Sequence, residues 1–273
     1  MRSNRNNRNT NRGGGKSASE VRAKKHLGQH FLTDLNIAAR IAEAMSGGGD
    51  VLEVGCGMGV LTQFLLQRSD VKTWGVEIDG ESIEYLHRNF PQFTPTLIEG
   101  DFLNMNLGEM FPEGVKVIGN FPYNISSQIF FKVIEYRDLV PECVGMVQKE
   151  VAVRIAEGPG SREYGILSVL LQAWYDIEYL FTVHENVFNP PPKVKSAVIR
   201  LKRNQVTELG CDERLFVKVV KAAFSQRRKM LKNPLRDVFG GFEEEHRFFS
   251  QRAEQLSVAD FVELTNWVAA HKR

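Results

Sequence analysis

An α/β fold with a mostly parallel, doubly wound sheet and a small all-helical C-terminal domain is predicted by three features of this 273-residue chain. Strand-length apolar runs alternate with helical periodicity between Val51 and Val147. A glycine-rich turn follows the first of those runs, and beyond a polar break at 202–210 the pattern is helical.

Each element has its own signal. Residues 1–20 are Asn, Arg, Gly and Ser with almost nothing apolar, which cannot offset the entropy of ordering, so a disordered basic tail is expected. Asp34 can cap a helix whose apolar positions Ile37, Ala38, Ile41, Ala42 and Met45 recur at helical spacing up to Gly47-Gly48-Gly49. A strand at 51–54 leads into Gly55-Cys56-Gly57-Met58-Gly59, after which Leu61, Phe64, Leu65 and Leu66 share a helical face. Strands follow at 73–77, 96–99 and 115–118, then at 143–147 beyond a helix over 128–136. Residues 148–156 and 166–175 read as helices, and 177–183 with 196–201 as a closing pair of strands around Pro190-Pro191-Pro192. Further on, Asn233 can cap a helix with Pro234 at its first position. The domains are thus 21–205 and 206–273.

Composition excludes several classes. A hydrophobic content of 42% supports a sizeable core, while no run of about 18 apolar residues and no apolar leader exists, so a cytoplasmic protein without membrane contact is expected. Cys56, Cys143 and Cys211 form no Cys-x-x-Cys pair and the six histidines show no ligand spacing, so neither a disulfide framework nor a metal is expected. Net charge is only +2, and Arg2, Arg5, Arg8, Arg12 and Lys16 carry five positive charges, leaving −3 on the rest. Any nucleic-acid surface must then be a local patch. The best candidate is 213–236, where eight Lys or Arg stand against one acid, with Lys218 and Lys221 sharing one helix surface and Arg228 and Lys232 another.

In a doubly wound sheet, ligands bind at the carboxyl ends of the strands near the reversal of strand order. Glu53, Gly55 to Gly59, Glu77 and Asp101 all fall at such ends. Glycines such as Gly55 and Gly57 let backbone approach a ligand, an acid about 20 residues on can bind two ribose hydroxyls, and Asp101 can accept from an adenine amine. The turn lacks the Gly-Lys-Ser/Thr of a phosphate-binding loop and the spacing suited to a pyrophosphate.

A second motif, Gly119-Asn120-Phe121-Pro122-Tyr123-Asn124, closes the fourth strand. Adenine N6 is a poor nucleophile because its lone pair is delocalised, and acceptors on its N–H groups draw it towards a tetrahedral geometry. The Asn120 side-chain oxygen and the Phe121 carbonyl can serve, since Pro122 fixes the backbone and donates no N–H. Tyr123 offers a ring face for the base, worth roughly 1–3 kcal/mol. Together with the glycine turn, the motif favours a methyl donor over a dinucleotide.

These residues, with Lys24-Lys25-His26-Leu27-Gly28-Gln29-His30-Phe31-Leu32, Gln148-Lys149-Glu150, Phe188 to Val194 and Ala223-Phe224-Ser225-Gln226-Arg227-Arg228-Lys229, make the chain resemble the KsgA (RsmA) family from about 22 to 270. Its members are bacterial small-subunit rRNA adenine N6,N6-dimethyltransferases. The resemblance implies a Rossmann-like S-adenosylmethionine-dependent methyltransferase domain, with the donor held by His30, Leu32, Gly55, Glu77, Asp101 and Asn120. His30 stands where the family often has Asn, and Phe121 where Leu is more usual. It also implies that Tyr123 and Phe188 sandwich a flipped adenine. The substrate implied is 16S rRNA within immature small ribosomal subunits, two adjacent adenosines of the 3′-terminal hairpin being dimethylated by a monomer. Lys218, Lys221, Arg227, Arg228, Lys229 and Lys232 are the expected RNA contacts.

Overall fold

The computed structural model describes residues 21–272, so the expected tail at 1–20 lies outside the described residues. Asp34 caps α1 (Leu35–Ala44), its carboxylate accepting from the Asn36 and Ile37 amides at 2.9 and 3.1 Å. The chain then alternates through β2 (Asp50–Val54), α2 (Thr62–Leu66), β3 (Lys72–Glu77), α3 (Gly80–Asn89) and β4 (Leu97–Glu99). The short α4 (Leu107–Met110) precedes β5 (Lys116–Asn120), α5 (Ser126–Glu135), β6 (Glu142–Gln148), α6 (Lys149–Ala156) and α7 (Ile166–Gln172). Strands β7 (Tyr175–Val183) and β9 (Ser196–Arg203) complete a seven-stranded sheet of order β4-β3-β2-β5-β6-β9-β7. Only β9 runs against its neighbours in this sheet. A two-residue strand at the start, β1 (Phe31–Leu32), pairs antiparallel with β8 (Phe188–Asn189).

Successive strand residues point to opposite faces, and the two cores follow that alternation. Val117, Cys143, Ala197 and Ile199 belong to one apolar cluster, whereas Ile118, Val144, Met146 and Val198 belong to the other, with Ala38, Ile41 and Ala42 of α1. The first cluster continues without a break into α8 (Glu213–Ser225) and α10 (Val258–His271) through Phe216, Val219 and Phe261. The C-terminal helices therefore rest on the same core as the sheet.

Three expectations are corrected. The helix expected at 166–175 stops at Gln172, and Tyr175 begins β7, its buried hydroxyl donating to the Val140 carbonyl at 2.9 Å. Asn233 is not a cap, because α9 (Lys232–Phe239) already begins at Lys232 with Leu231 ahead of it. Arg228 shares no helix face with Lys232, since residues 226–229 form a turn between α8 and α9. No helix among the described residues is long and apolar enough to cross a membrane.

Candidate functional site

The chain runs outward one way through β2, β3 and β4 and the other way through β5 and β6, so strand order reverses between β2 and β5. A cleft of roughly 970 Å³, counted to its open mouth, lies there. Its walls include His30, Leu32, Glu53, Gly55, Gly57, Glu77, Asp101, Asn120, Phe121, Pro122 and Tyr123. Residues far apart in sequence thus meet because they end adjacent strands.

Gly57 has φ 54°, in the left-handed region that favours glycine, and this aims its N–H at Glu77 Oε2, 2.8 Å away. Glu77 Oε1 accepts from the Ile78 and Asp79 amides, both at 2.9 Å. Three of about four acceptor positions are filled, leaving Oε2 one place for a ligand hydroxyl. Asp101 accepts from the Leu103 amide and the Asn104 side chain, both at 2.9 Å, keeping one position free on each oxygen. The loop carrying Asp101 is clamped from α5 by Lys132, whose buried ammonium donates to the Leu103 and Met105 carbonyls at 3.0 and 2.6 Å.

Two buried carboxyls border the cleft. Glu53 and Glu77 are 1% and 4% exposed, and burial pushes both carboxyls up, Glu53 to about 8. The Thr62 hydroxyl, donating to Glu53 Oε2 at 2.6 Å, opposes the shift without cancelling it. Two buried acids beside one cleft fit S-adenosylmethionine, which carries a sulfonium and an ammonium. No cluster of His, Cys, Asp or Glu suited to a metal occurs among the described residues.

Asn120 ends β5, and its Nδ2 donates to the His30 carbonyl at 2.9 Å. Because a carbonyl only accepts, this bond settles which way the amide faces and leaves Oδ1 as a free acceptor. The Phe121 ring, 1% exposed, lies edge-on to Phe130 at 5.8 Å, while its carbonyl meets no hydrogen-bond donor among the described residues. Tyr123 is held by its hydroxyl, 2.5 Å from Ser196 Oγ, at the first residue of β9. Gly28, at φ 65°, passes so near Asn124 Oδ1 that a Cβ there would collide with it.

One expected residue sits elsewhere, and another has partners within the fold. Phe188 is 4% exposed, belongs to the apolar cluster of α1 and β6, and lines no part of the cleft. Its partner position across β1 and β8 is Leu32, so core packing claims the ring in this conformation. Arg227 donates through Nη2 to the Arg162 and Tyr164 carbonyls at 2.8 and 2.7 Å, which ties it to the fold. Lys232 pairs with Glu245, and the Lys221 ammonium lies 5.7 Å from the Phe131 ring centroid. All six of these basic residues are exposed, and the side chains of Lys218, Arg228 and Lys229 have no bonding partner among the described residues.

Sequence reasoning missed Ile78 and Phe102, which border the cleft beside Glu77 and Asp101 and offer apolar surface to a flat ring. Ile78 is 55% exposed. An apolar residue directly after a strand-ending acid was the available signal for it.

The sheet order, the glycine turn and the acid-ended strands define a Rossmann-like methyltransferase with an S-adenosylmethionine cleft. Residues 20–270 match the family model described as Ribosomal RNA adenine dimethylase, and the chain belongs to that family. The Ribosomal RNA small subunit methyltransferase A of Phocaeicola vulgatus is 57% identical over 259 residues, 92% of this chain and 91% of the relative. That of Cytophaga hutchinsonii is 56% identical over 254 residues, 92% of this chain and 98% of the relative. Among solved structures, a dimethyladenosine transferase from Plasmodium falciparum aligns with a TM-score of 0.72 at 25% identity, covering 89% of this chain and all of that one. The 23S rRNA methyltransferase ErmE shares the fold, with a TM-score of 0.63 at 23% identity over 85% of this chain and 99% of its own. The chain is an S-adenosylmethionine-dependent ribosomal RNA adenine dimethyltransferase.

Proposed function

We propose that this enzyme dimethylates N6 of two adjacent adenosines in the 3′-terminal hairpin of 16S rRNA, acting in the cytoplasm as a monomer on immature small subunits. The observation that carries the site is the pair of unfilled acceptors at the end of β5, Asn120 Oδ1 and the Phe121 carbonyl, beside a cleft suited to a cationic donor. Bound there, S-adenosylmethionine supplies an electrophilic methyl group on a sulfonium. Asn120 and the Phe121 carbonyl accept the two N6 hydrogens and direct the nitrogen lone pair at that methyl, so most of the catalysis is positioning. The new N–C bond forms as the S–C bond breaks, and the proton leaves to water. Tyr123 stacks the flipped base; Phe188 anchors the 188–195 segment from the core and reaches a base only by leaving it.

RNA is held at two places. Lys218, Arg228 and Lys229 are exposed on the helical domain at 206–273; Lys195 directly precedes Ser196, the tether of Tyr123, its carbonyl accepting from the Lys149 amide at 2.9 Å, and Lys193 lies two residues before it. The side chains of Lys149, Lys193 and Lys195 bond nothing among the described residues, so their charges are available to phosphates. Mapping methyl groups on small and large subunits after reaction with the purified protein tests the substrate. Dimethyladenosine confined to the small-subunit hairpin is expected, and methyl groups on the large subunit overturn the reading. Asn120→Ala is expected to slow transfer on the order of 100-fold while the melting temperature holds, as for other preorganised polar groups at a reacting centre.

A further inference from the structure

Asp101 has slender support from the sheet. It follows β4, an edge strand of three residues that pairs only with β3, and the last bond back to the sheet is the Gly100 amide donating to the Glu77 carbonyl at 2.8 Å. The next residues, Phe102–Asn104, form one 3₁₀ turn. Among the described residues the Leu103 and Met105 carbonyls have a single donor between them, the Lys132 ammonium on α5, at 3.0 and 2.6 Å. Lys132 is 7% exposed and forms no ion pair among the described residues. Its Nζ lies 5.8 Å from the centroid of the Phe102 ring, which borders the cleft, and 5.1 Å from that of Tyr136. A buried cation costs desolvation that an apolar side chain of equal length avoids, and only these carbonyls and rings offset it. What the ammonium secures is the turn that carries Asp101 and Phe102.

We propose that Lys132 is a positioning residue for the purine of the methyl donor, holding the Asp101 carboxylate where it receives the purine amine and Phe102 where it flanks the ring. This rests on the donor lying in the cleft with its amine at Asp101. Both Asp101 oxygens already accept within the turn, from the Leu103 amide and the Asn104 side chain, so the direction of their remaining acceptor positions follows the turn. Without the ammonium two carbonyls lose their donor, the turn shifts to find another, and the acceptor moves with it. Glu77 and the glycine turn at 55–59 take no hydrogen bond from Lys132, so the loss falls on the purine end of the donor alone.

The test is calorimetric binding of S-adenosylhomocysteine and of its 6-deamino analogue, which carries hydrogen in place of the purine amine, to the parent, Lys132→Met, Lys132→Gln and Asp101→Asn. The parent is expected to prefer the amine-bearing ligand by about tenfold or more, as for a hydrogen bond to a charged group. Lys132→Met keeps the length of the side chain. It should weaken S-adenosylhomocysteine about tenfold while the deamino ligand stays within about twofold, so that the preference collapses. Lys132→Gln, which keeps an N–H donor for one carbonyl, should retain part of the preference, and it carries the same comparison if the methionine variant does not fold. In methyl transfer the loss should fall on donor KM, with kcat at saturating donor within about threefold. Equal weakening of both ligands in Lys132→Met means a structural role alone and overturns the proposal, as does an unchanged preference. Loss of the preference in Asp101→Asn beside a normal Lys132→Met rejects Lys132 alone, whereas a parent without preference, or a normal preference in Asp101→Asn, removes the placement of the purine and the proposal with it.

Discussion

The Glu53 carboxyl reaches about 8 because burial outweighs the Thr62 hydroxyl, with Glu77 adding repulsion. In the unfolded chain it ionises in its ordinary range near 4.5. Between these values the folded state binds more protons than the unfolded state, so this group lowers stability as pH rises through the window. Glu53→Gln removes that ionisation while keeping a polar partner for Thr62. The variant should melt close to the parent at about pH 5 and above it at about pH 8.5, by about 2–4 °C for each kcal/mol relieved in a chain of this size. Thermal melts of donor-free protein across that range check the sign; a gap that fails to widen with pH refutes it. At this scale the sequence marked Glu53, Glu77, Asp101 and Asn120 by their places at strand ends. It did not mark Lys132, whose partners are main-chain carbonyls that no residue pattern reveals.

The turn between α8 and α9 shows how an element redirects a side chain. A run of Arg and Lys in sequence reads as one basic surface, yet in the folded turn Arg227 swings back to the carbonyls of Arg162 and Tyr164 and to the Phe224 ring, 5.7 Å from its guanidinium carbon. Arg227→Ala is therefore expected to cost about 1–2 kcal/mol in denaturant unfolding through the loss of charge-assisted hydrogen bonds. Arg228→Ala should leave stability unchanged and weaken RNA binding. Reversal of these two outcomes would return Arg227 to the RNA surface. Tyr175 and Asn233 were likewise decided by their surroundings. Apolar residues buried on every side give no period, so helix α7 and strand β7 run together in the sequence. An Asn before Pro marks a helix start only where the preceding residues are not already turning, and Leu231 already has helical backbone angles.

For the whole molecule, charge is small in sum and local in effect. The exposed side chains of Lys149, Lys193 and Lys195 have no bonding partner among the described residues, while Lys24 is spent on Asp79 and Glu81 and Lys232 on Glu245. Replacing Lys149, Lys193 and Lys195 by Gln should make the dependence of log K on log salt shallower by about 0.7–0.9 for each phosphate no longer neutralised. Filter binding of the small-subunit hairpin across a salt series measures it, and an unchanged slope places the phosphates elsewhere.

The chain by itself determined its fold class, its strand-end acids, the glycine turn and the Asn120 to Tyr123 motif, because these depend on local periodicity and on residue types confined to short stretches. Only tertiary structure decided which of them cooperate. It turned the Asn120 amide through the His30 carbonyl, withdrew Phe188 into the core through the pairing of β1 with β8, and gave Arg227 main-chain partners that its neighbour Arg228 lacks. Such contacts join positions as far apart as His30 and Pro190, and hydrogen bonds to main-chain atoms leave no residue-type signature along the sequence.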